Sequence, residues 1–207
     1  MNQEPFFCPF SHSLHSVVFG MIYFFTPYSF NFKLLDAIAS CMGLLQPDDW
    51  AIIMDGDTMF LHPDFGHQIQ RHIEAHPETG LFTCCASRCH YKIQQVPGAD
   101  MLNDSILYHK EIADDVKQRS PGVSSAITRR IAGHLMVIRK STWDKILPVV
   151  RVTASEKRIL GVDTKISNAI LKAGLEIRLM RDIYLLHYCR LAEGFDYTKH
   201  IEPCIKE

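Results

Sequence analysis

Short, continuous apolar runs alternate along the chain with stretches whose apolar residues recur every three or four positions. This is the pattern of strands and helices taken in turn. Met21 to Thr26 (Met-Ile-Tyr-Phe-Phe-Thr) predicts a buried strand, closed by Pro27-Tyr28-Ser29. Asn31 is placed to cap a helix over Phe32 to Leu45, in which Leu34, Leu35, Ile38, Met42 and Leu45 fall at helical spacing. Gln46-Pro47-Asp48-Asp49 is the loop into a second apolar run, Trp50 to Met54, which reads as a strand buried on both faces. Strand, helix and strand together predict a βαβ unit with a right-handed crossover.

Further along, His62-Pro63-Asp64 predicts a turn with Asp64 as N-cap, followed by a helix over Phe65 to Ala75 that stops before Pro77. Gly80 to Cys85 reads as another buried strand, and Ser87 to Asp104 as an irregular segment with a loop at Pro97-Gly98. Ile106 to Val116 is expected to be helical, and Ile131 to Ile138 to form a strand. Ser141 or Thr142 should start a short helix ending at Ile146. Arg151 to Leu160 has a mixed pattern. A helix over Thr164 to Ala173 follows Gly161-Val162-Asp163 and ends at Gly174. Ile177 to Leu179 and Tyr184 to His187 read as two short strands. Residues 1–20 mix Phe, Pro, Ser and His without periodicity. They lack the basic n-region and small-residue cleavage site of a signal peptide, so they are expected to be an extension. Residues 21–191 then form one α/β domain, and 192–207 a polar tail.

The chemistry concentrates where the run Trp50–Met54 breaks off into Asp55-Gly56-Asp57. A buried strand that delivers acids at its C-terminal end is a usual origin of a site in an open α/β sheet. Gly56 lets the chain turn so that both carboxylates can approach one point. Their mutual repulsion would favour a divalent cation with hard oxygen ligands, Mn²⁺ or Mg²⁺. Asp-Gly is also a common turn dipeptide. His187, just after an apolar run, offers an imidazole as a third ligand or is a plain core histidine. Asp163, at a helix start, is a candidate acid or only an N-cap. Cys84, Cys85, Cys89 and His90 fit no closed zinc spacing and read as buried strand cysteines. Asp114-Asp115 reads as a solvated helix face.

Composition narrows the partners. Lys+Arg number 22 against Asp+Glu 23, so no basic face for nucleic acid is expected. Seven Cys without regular spacing argue for thiols in a reducing, cytoplasmic compartment rather than a disulfide framework. No apolar run is long enough for a transmembrane segment.

From about Met21 to Arg190 the chain resembles a compact family 2 glycosyltransferase of the GT-A fold. The resemblance is carried by Phe25-Thr26-Pro27-Tyr28, the stretch from Asp49-Trp50 through Asp55-Gly56-Asp57-Thr58-Met59-Phe60, and Gly80-Leu81-Phe82-Thr83-Cys84. Ile131-Ala132-Gly133 with Arg139, Gly161-Val162-Asp163 and Leu186-His187-Tyr188 add to it. It implies a single domain with a mostly parallel central sheet flanked by helices. It also implies transfer of a sugar, with inversion, from a nucleotide-sugar donor to the hydroxyl of a glycan or other acceptor. Asp57 and His187 would hold the metal; Asp55 would contact the ribose, or the metal through water. Pro27 and Tyr28 would lie against the nucleotide, and Gly133 and His134 near the sugar or acceptor. Asp163 would be the catalytic base. Only one βα unit precedes Asp55, and Val162-Asp163 stands where the family has Glu-Asp. Two other readings are a haloacid-dehalogenase-like phosphatase with Asp55 as nucleophile, and a non-catalytic nucleotide-sugar binding module.

Overall fold

The computed structural model describes residues 20–27, 33–153 and 161–188. The expected extension (apart from Gly20), the Asn31 cap, Tyr28, most of the mixed segment before Gly161 and the C-terminal tail lie outside the described residues.

The expected βαβ unit is present. Strand β1 (Ile22–Phe25) leads through helix α1 (Leu34–Met42) to β2 (Trp50–Met54), and β1 and β2 pair in parallel. On α1, Leu35, Ile38 and Met42 are buried, the 3–4 spacing that turns one helical stripe to the sheet. After β2 come β3 (Thr58–Phe60), α2 (Phe65–Ala75), β4 (Leu81–Ala86), α3 (Ile106–Arg119), β5 (Ser124–Ile127), β6 (Leu135–Arg139), α4 (Lys140–Thr153), α5 (Val162–Lys172) and β7 (Ile177–His187). A 3₁₀ turn at Lys92–Gln94 lies in the irregular segment before α3. The chain is α/β, with one seven-stranded sheet in the order β1-β2-β6-β4-β7-β3 and β5 also paired to β7.

That sheet is mixed, which corrects the expectation of a mostly parallel one. Strands β1, β2, β4 and β7 share one direction; β3, β5 and β6 oppose it. Antiparallel β6 sits between β2 and β4, so β2, β4 and β7 finish at the sheet end where β6 begins. Helices cover both faces. One core packs Ile38, Ile53, Met136, Trp143, Ile146 and Ile170 together; the other packs Trp50, Ile52, Phe82 and Val137 with Ile69 and Ile73 of α2.

Several elements differ from their sequence patterns for identifiable reasons. β1 is an edge strand rather than a buried one, and Tyr23 and Phe24 are exposed. β3 and β5 are short strands with little apolar signal; each exists because β7 supplies a partner. β6 starts at Leu135 rather than Ile131. Helix α4 runs through Pro148 instead of stopping at Ile146. Buried Trp143, Ile146 and Val150 lie on one face of it, and their packing outweighs the missing proline N–H. The two short strands expected near the end are one continuous β7. The polar interruption Arg181-Asp182 is absorbed by a bulge opposite Cys84/Cys85 and by partners for both residues. The Arg181 N–H donates to the Val123 carbonyl, and the buried Asp182 carboxylate meets His72 Nε2 at 2.6 Å and accepts the Gly122 N–H at 2.7 Å. Among the described residues, no helix is long and apolar enough to cross a membrane.

Candidate metal centre and adjoining cleft

The turn after β2 is tight. The Asp55 carbonyl accepts both the N–H (3.3 Å) and the hydroxyl (2.7 Å) of Thr58, and the Asp55 N–H donates to the His134 carbonyl at 3.3 Å. Thr58 then opens β3, which pairs with β7 in a register that sets it opposite His187. The Tyr188 N–H donates to the Asp57 carbonyl at 2.8 Å, extending the ladder past the end of β7. The two backbone segments are thereby locked together beside the Asp-Gly-Asp turn.

As a result, Asp55, Asp57 and His187 each offer a ligand atom, all within 4.8 Å of one another. Among the described residues they are the only group of three or more His, Cys, Asp or Glu side chains so arranged. His187 Nε2 lies 3.5 Å from Asp57 Oδ1. The His187 contact holds the Asp57 carboxyl below its ordinary value, outweighing partial burial. Asp55 is exposed as a residue, yet protein surrounds much of its carboxyl. That burial first, and the Asp57 charge second, push it up to about 6; His187 opposes and Asp163 adds to the rise. Two carboxylates that resist joint ionisation, next to an imidazole, suit a divalent cation of the Mn²⁺ or Mg²⁺ type. The buried His187 Nδ1 has no hydrogen-bond partner among the described residues.

A cleft with a volume of about 160 Å³ adjoins this cluster. Leu34, Ile38, Ile53, Met54, Met136 and Val162 make its apolar wall; Pro27, Asp55, Gly133, Gly161 and Asp163 complete it. Asp163 is not the cap of α5. Gly161 holds that position at φ +96°, where a side chain would be strained, and Asp163 lies in the first turn. Its Oδ2 accepts the Gly133 N–H at 3.1 Å and its Oδ1 the Thr164 N–H at 2.7 Å. A Cβ on Gly133 would come within 2.7 Å of Asp163 Cβ, so the close approach of the two backbones requires glycine there.

The structure thus gathers Asp55, Asp57 and His187 at one point and puts Pro27, Gly133 and Asp163 on the same cleft. His134 lies behind that surface. It is 1% exposed, its Nε2 is 3.1 Å from the Cys84 carbonyl, and its ring centroid is 5.8 Å from that of His187. Burial, then the neighbouring His187, lower the His134 imidazole to about 4. Cys84, Cys85 and Cys89 are all buried. Asp114 and Asp115 pair with Lys110 and Arg119 on the exposed face of α3; Asp64 holds the N-cap position of α2 as expected, but its carboxylate binds Lys117 at 2.8 Å rather than an N–H of the helix. Sequence reasoning passed over Ser87, His109 and Tyr184, which the fold brings together beneath His187; the only local signal was a lone serine ending the apolar run of β4.

No protein-family model matches this chain, and no curated protein matches it at a significant level.

Proposed function

We propose that this chain is a metal-dependent glycosyltransferase that moves a sugar from a nucleoside-diphosphate sugar to an acceptor hydroxyl, with inversion. The observation that carries the reading is the convergence of Asp55, Asp57 and His187 on one point beside a cleft lined by Asp163. A bound Mn²⁺ or Mg²⁺ would supply positive charge for a departing diphosphate. Asp57 and His187 would hold the cation, and Asp55 would complete its oxygen ligands or meet the donor's ribose. Pro27 borders the cleft on the β1 side, where the nucleotide would lie.

Asp163 takes the acceptor's proton in this reading. Each of its oxygens already accepts one backbone N–H, which orients the carboxylate, and each keeps a second lone pair for a hydroxyl. The acceptor oxygen bonds to the anomeric carbon as the bond from that carbon to the diphosphate breaks, and the hydroxyl proton passes to Asp163. A phosphatase with Asp55 as nucleophile fits less well, because that pattern wants Thr or Val two residues beyond the second acid and this chain has Met59 there.

A thermal-shift screen of UDP, GDP, CDP, ADP and dTDP with and without Mn²⁺ tests the proposal. The expected result is an upward shift that needs both metal and one nucleoside diphosphate, and that Asp57→Ala removes. Hydrolysis of a generic phosphate ester that Asp55→Asn abolishes, with no nucleoside-diphosphate binding, would overturn it in favour of the phosphatase.

A further inference from the structure

Beneath the proposed metal centre lies a buried polar chain that the catalytic reading does not use. Ser87 immediately follows β4 and is fully buried. Its backbone N–H continues the parallel ladder by donating to the Leu185 carbonyl at 3.0 Å. Its side chain then grips the next ladder position. Ser87 Oγ accepts the His187 N–H at 2.8 Å and faces the His187 carbonyl at 3.2 Å. One hydroxyl therefore holds both backbone polar groups of His187, at the last residue of β7.

Tyr184 lies beside that hydroxyl, and the contact draws its phenol down against the larger rise that burial causes. The phenol lies 2.8 Å from His109 Nδ1, and His109 Nε2 lies 2.7 Å from the Asn103 carbonyl. A carbonyl only accepts, so Nε2 carries the imidazole proton and Nδ1 accepts from the Tyr184 hydroxyl. Tyr184 then has a free lone pair turned to the Ser87 hydroxyl, whose single proton it shares with the His187 carbonyl. Burial keeps His109 neutral and Tyr184 protonated, which preserves this order of donors at neutral pH. The chain spans three elements: α3, the C-terminal half of β7 and the end of β4.

We propose that Ser87, braced by Tyr184 and His109, is a positioning residue that fixes the His187 imidazole against Asp57 for metal binding. The inference rests on the reading of Asp55, Asp57 and His187 as a metal centre. Apart from the Asp57 contact at Nε2, no hydrogen bond among the described residues braces the ring: Nδ1 has no hydrogen-bond partner among them. The ring's position is therefore set by its backbone and by packing against His134. Groups that orient a metal-bound histidine commonly change metal affinity by about 10- to 100-fold when removed.

The test is Mn²⁺ binding by the full chain, followed by the EPR signal of the free ion, with no nucleotide present. Ser87→Ala is expected to weaken Mn²⁺ by about 10-fold or more. Tyr184→Phe keeps the Ser87 clamp but removes its brace, so it should fall between Ser87→Ala and the unaltered chain. It also carries the test if Ser87→Ala does not fold. His72→Gln breaks a buried contact on the other face of the sheet and serves as the control for general destabilisation; its Mn²⁺ affinity should be unchanged. If the unaltered chain binds Mn²⁺ and the folded Ser87 and Tyr184 variants bind it equally well, the positioning role is overturned while the metal centre stands. A fall in affinity in His72→Gln as large as in Ser87→Ala would overturn it too. If the unaltered chain takes up no Mn²⁺, both readings fall together.

Discussion

His187 Nε2 stands 3.5 Å from Asp57 Oδ1, although the two residues lie far apart along the chain. The contact is a product of register. β3 pairs with β7 so that Thr58 faces His187, and the Tyr188 N–H closes on the Asp57 carbonyl. A slip of one residue would turn His187 to the other face of the sheet and leave Asp57 without it. Binding of a cation should therefore depend on both residues. Asp57→Ala is expected to abolish Mn²⁺-dependent binding of a nucleoside diphosphate, and His187→Ala to weaken it severely. Titration calorimetry checks this, and unchanged binding in Asp57→Ala would defeat the assignment.

Metal binding should weaken in acid. The Asp55 carboxyl is pushed up to about 6 in the metal-free protein, so below that pH a cation must displace a proton to use it. Affinity for Mn²⁺ should be level well above pH 6 and fall by about tenfold for each pH unit below it, the slope of one released proton. In Asp55→Asn that part of the slope should vanish. EPR titrations between pH 5 and pH 7.5 measure both.

Asp163 separates binding from chemistry. Asp163→Asn keeps an oxygen for the Gly133 N–H but cannot take a proton. Turnover should drop by about 10²- to 10⁴-fold with nucleoside-diphosphate binding nearly intact. Gly133→Ala should depress turnover by another route, since its Cβ would come within 2.7 Å of Asp163 Cβ and displace the acid. Donor turnover with acceptor present, set beside calorimetry, distinguishes these outcomes from a loss of folding.

The buried His72–Asp182 contact should govern acid stability. Burial alone would raise the Asp182 carboxyl, but the His72 contact and the Gly122 N–H outweigh it and hold the group below its ordinary value. A depressed carboxyl contributes stability at pH values above its unfolded value, and that contribution is lost as the pH falls through the folded value. Urea unfolding should therefore show a loss between about pH 4 and the lower folded value that Asp182→Asn does not show. Asp182→Ala leaves His72 buried without its partner and should cost about 3–5 kcal/mol near neutral pH.

Local patterning was enough for the elements whose signal is their own. The apolar run Trp50–Met54, the 3–4 spacing of Leu35, Ile38 and Met42, and the fully apolar face of β4 all report burial that each segment carries wherever it packs. The Asp55-Gly56-Asp57 turn was legible for the same reason, since an acid pair at the end of a buried strand is a local oddity. What a residue meets across the sheet has no local signature. Arg181 and Asp182 broke the apolar pattern of β7 because their partners, the Val123 carbonyl and His72, belong to other elements. β3 and β5 are strands only because β7 offers its edge, and the insertion of antiparallel β6 between β2 and β4 is a matter of long-range pairing. Ser87, Tyr184 and His109 carry no motif, and burial around a shared hydrogen-bond chain is what makes them a unit. The sequence by itself therefore determined where the acids, the central strands and most helices lie. Only the tertiary structure decided that His187 reaches Asp57 and that Asp163 faces the same cleft as Asp55, because those meetings depend on strand order and register, which no single segment encodes.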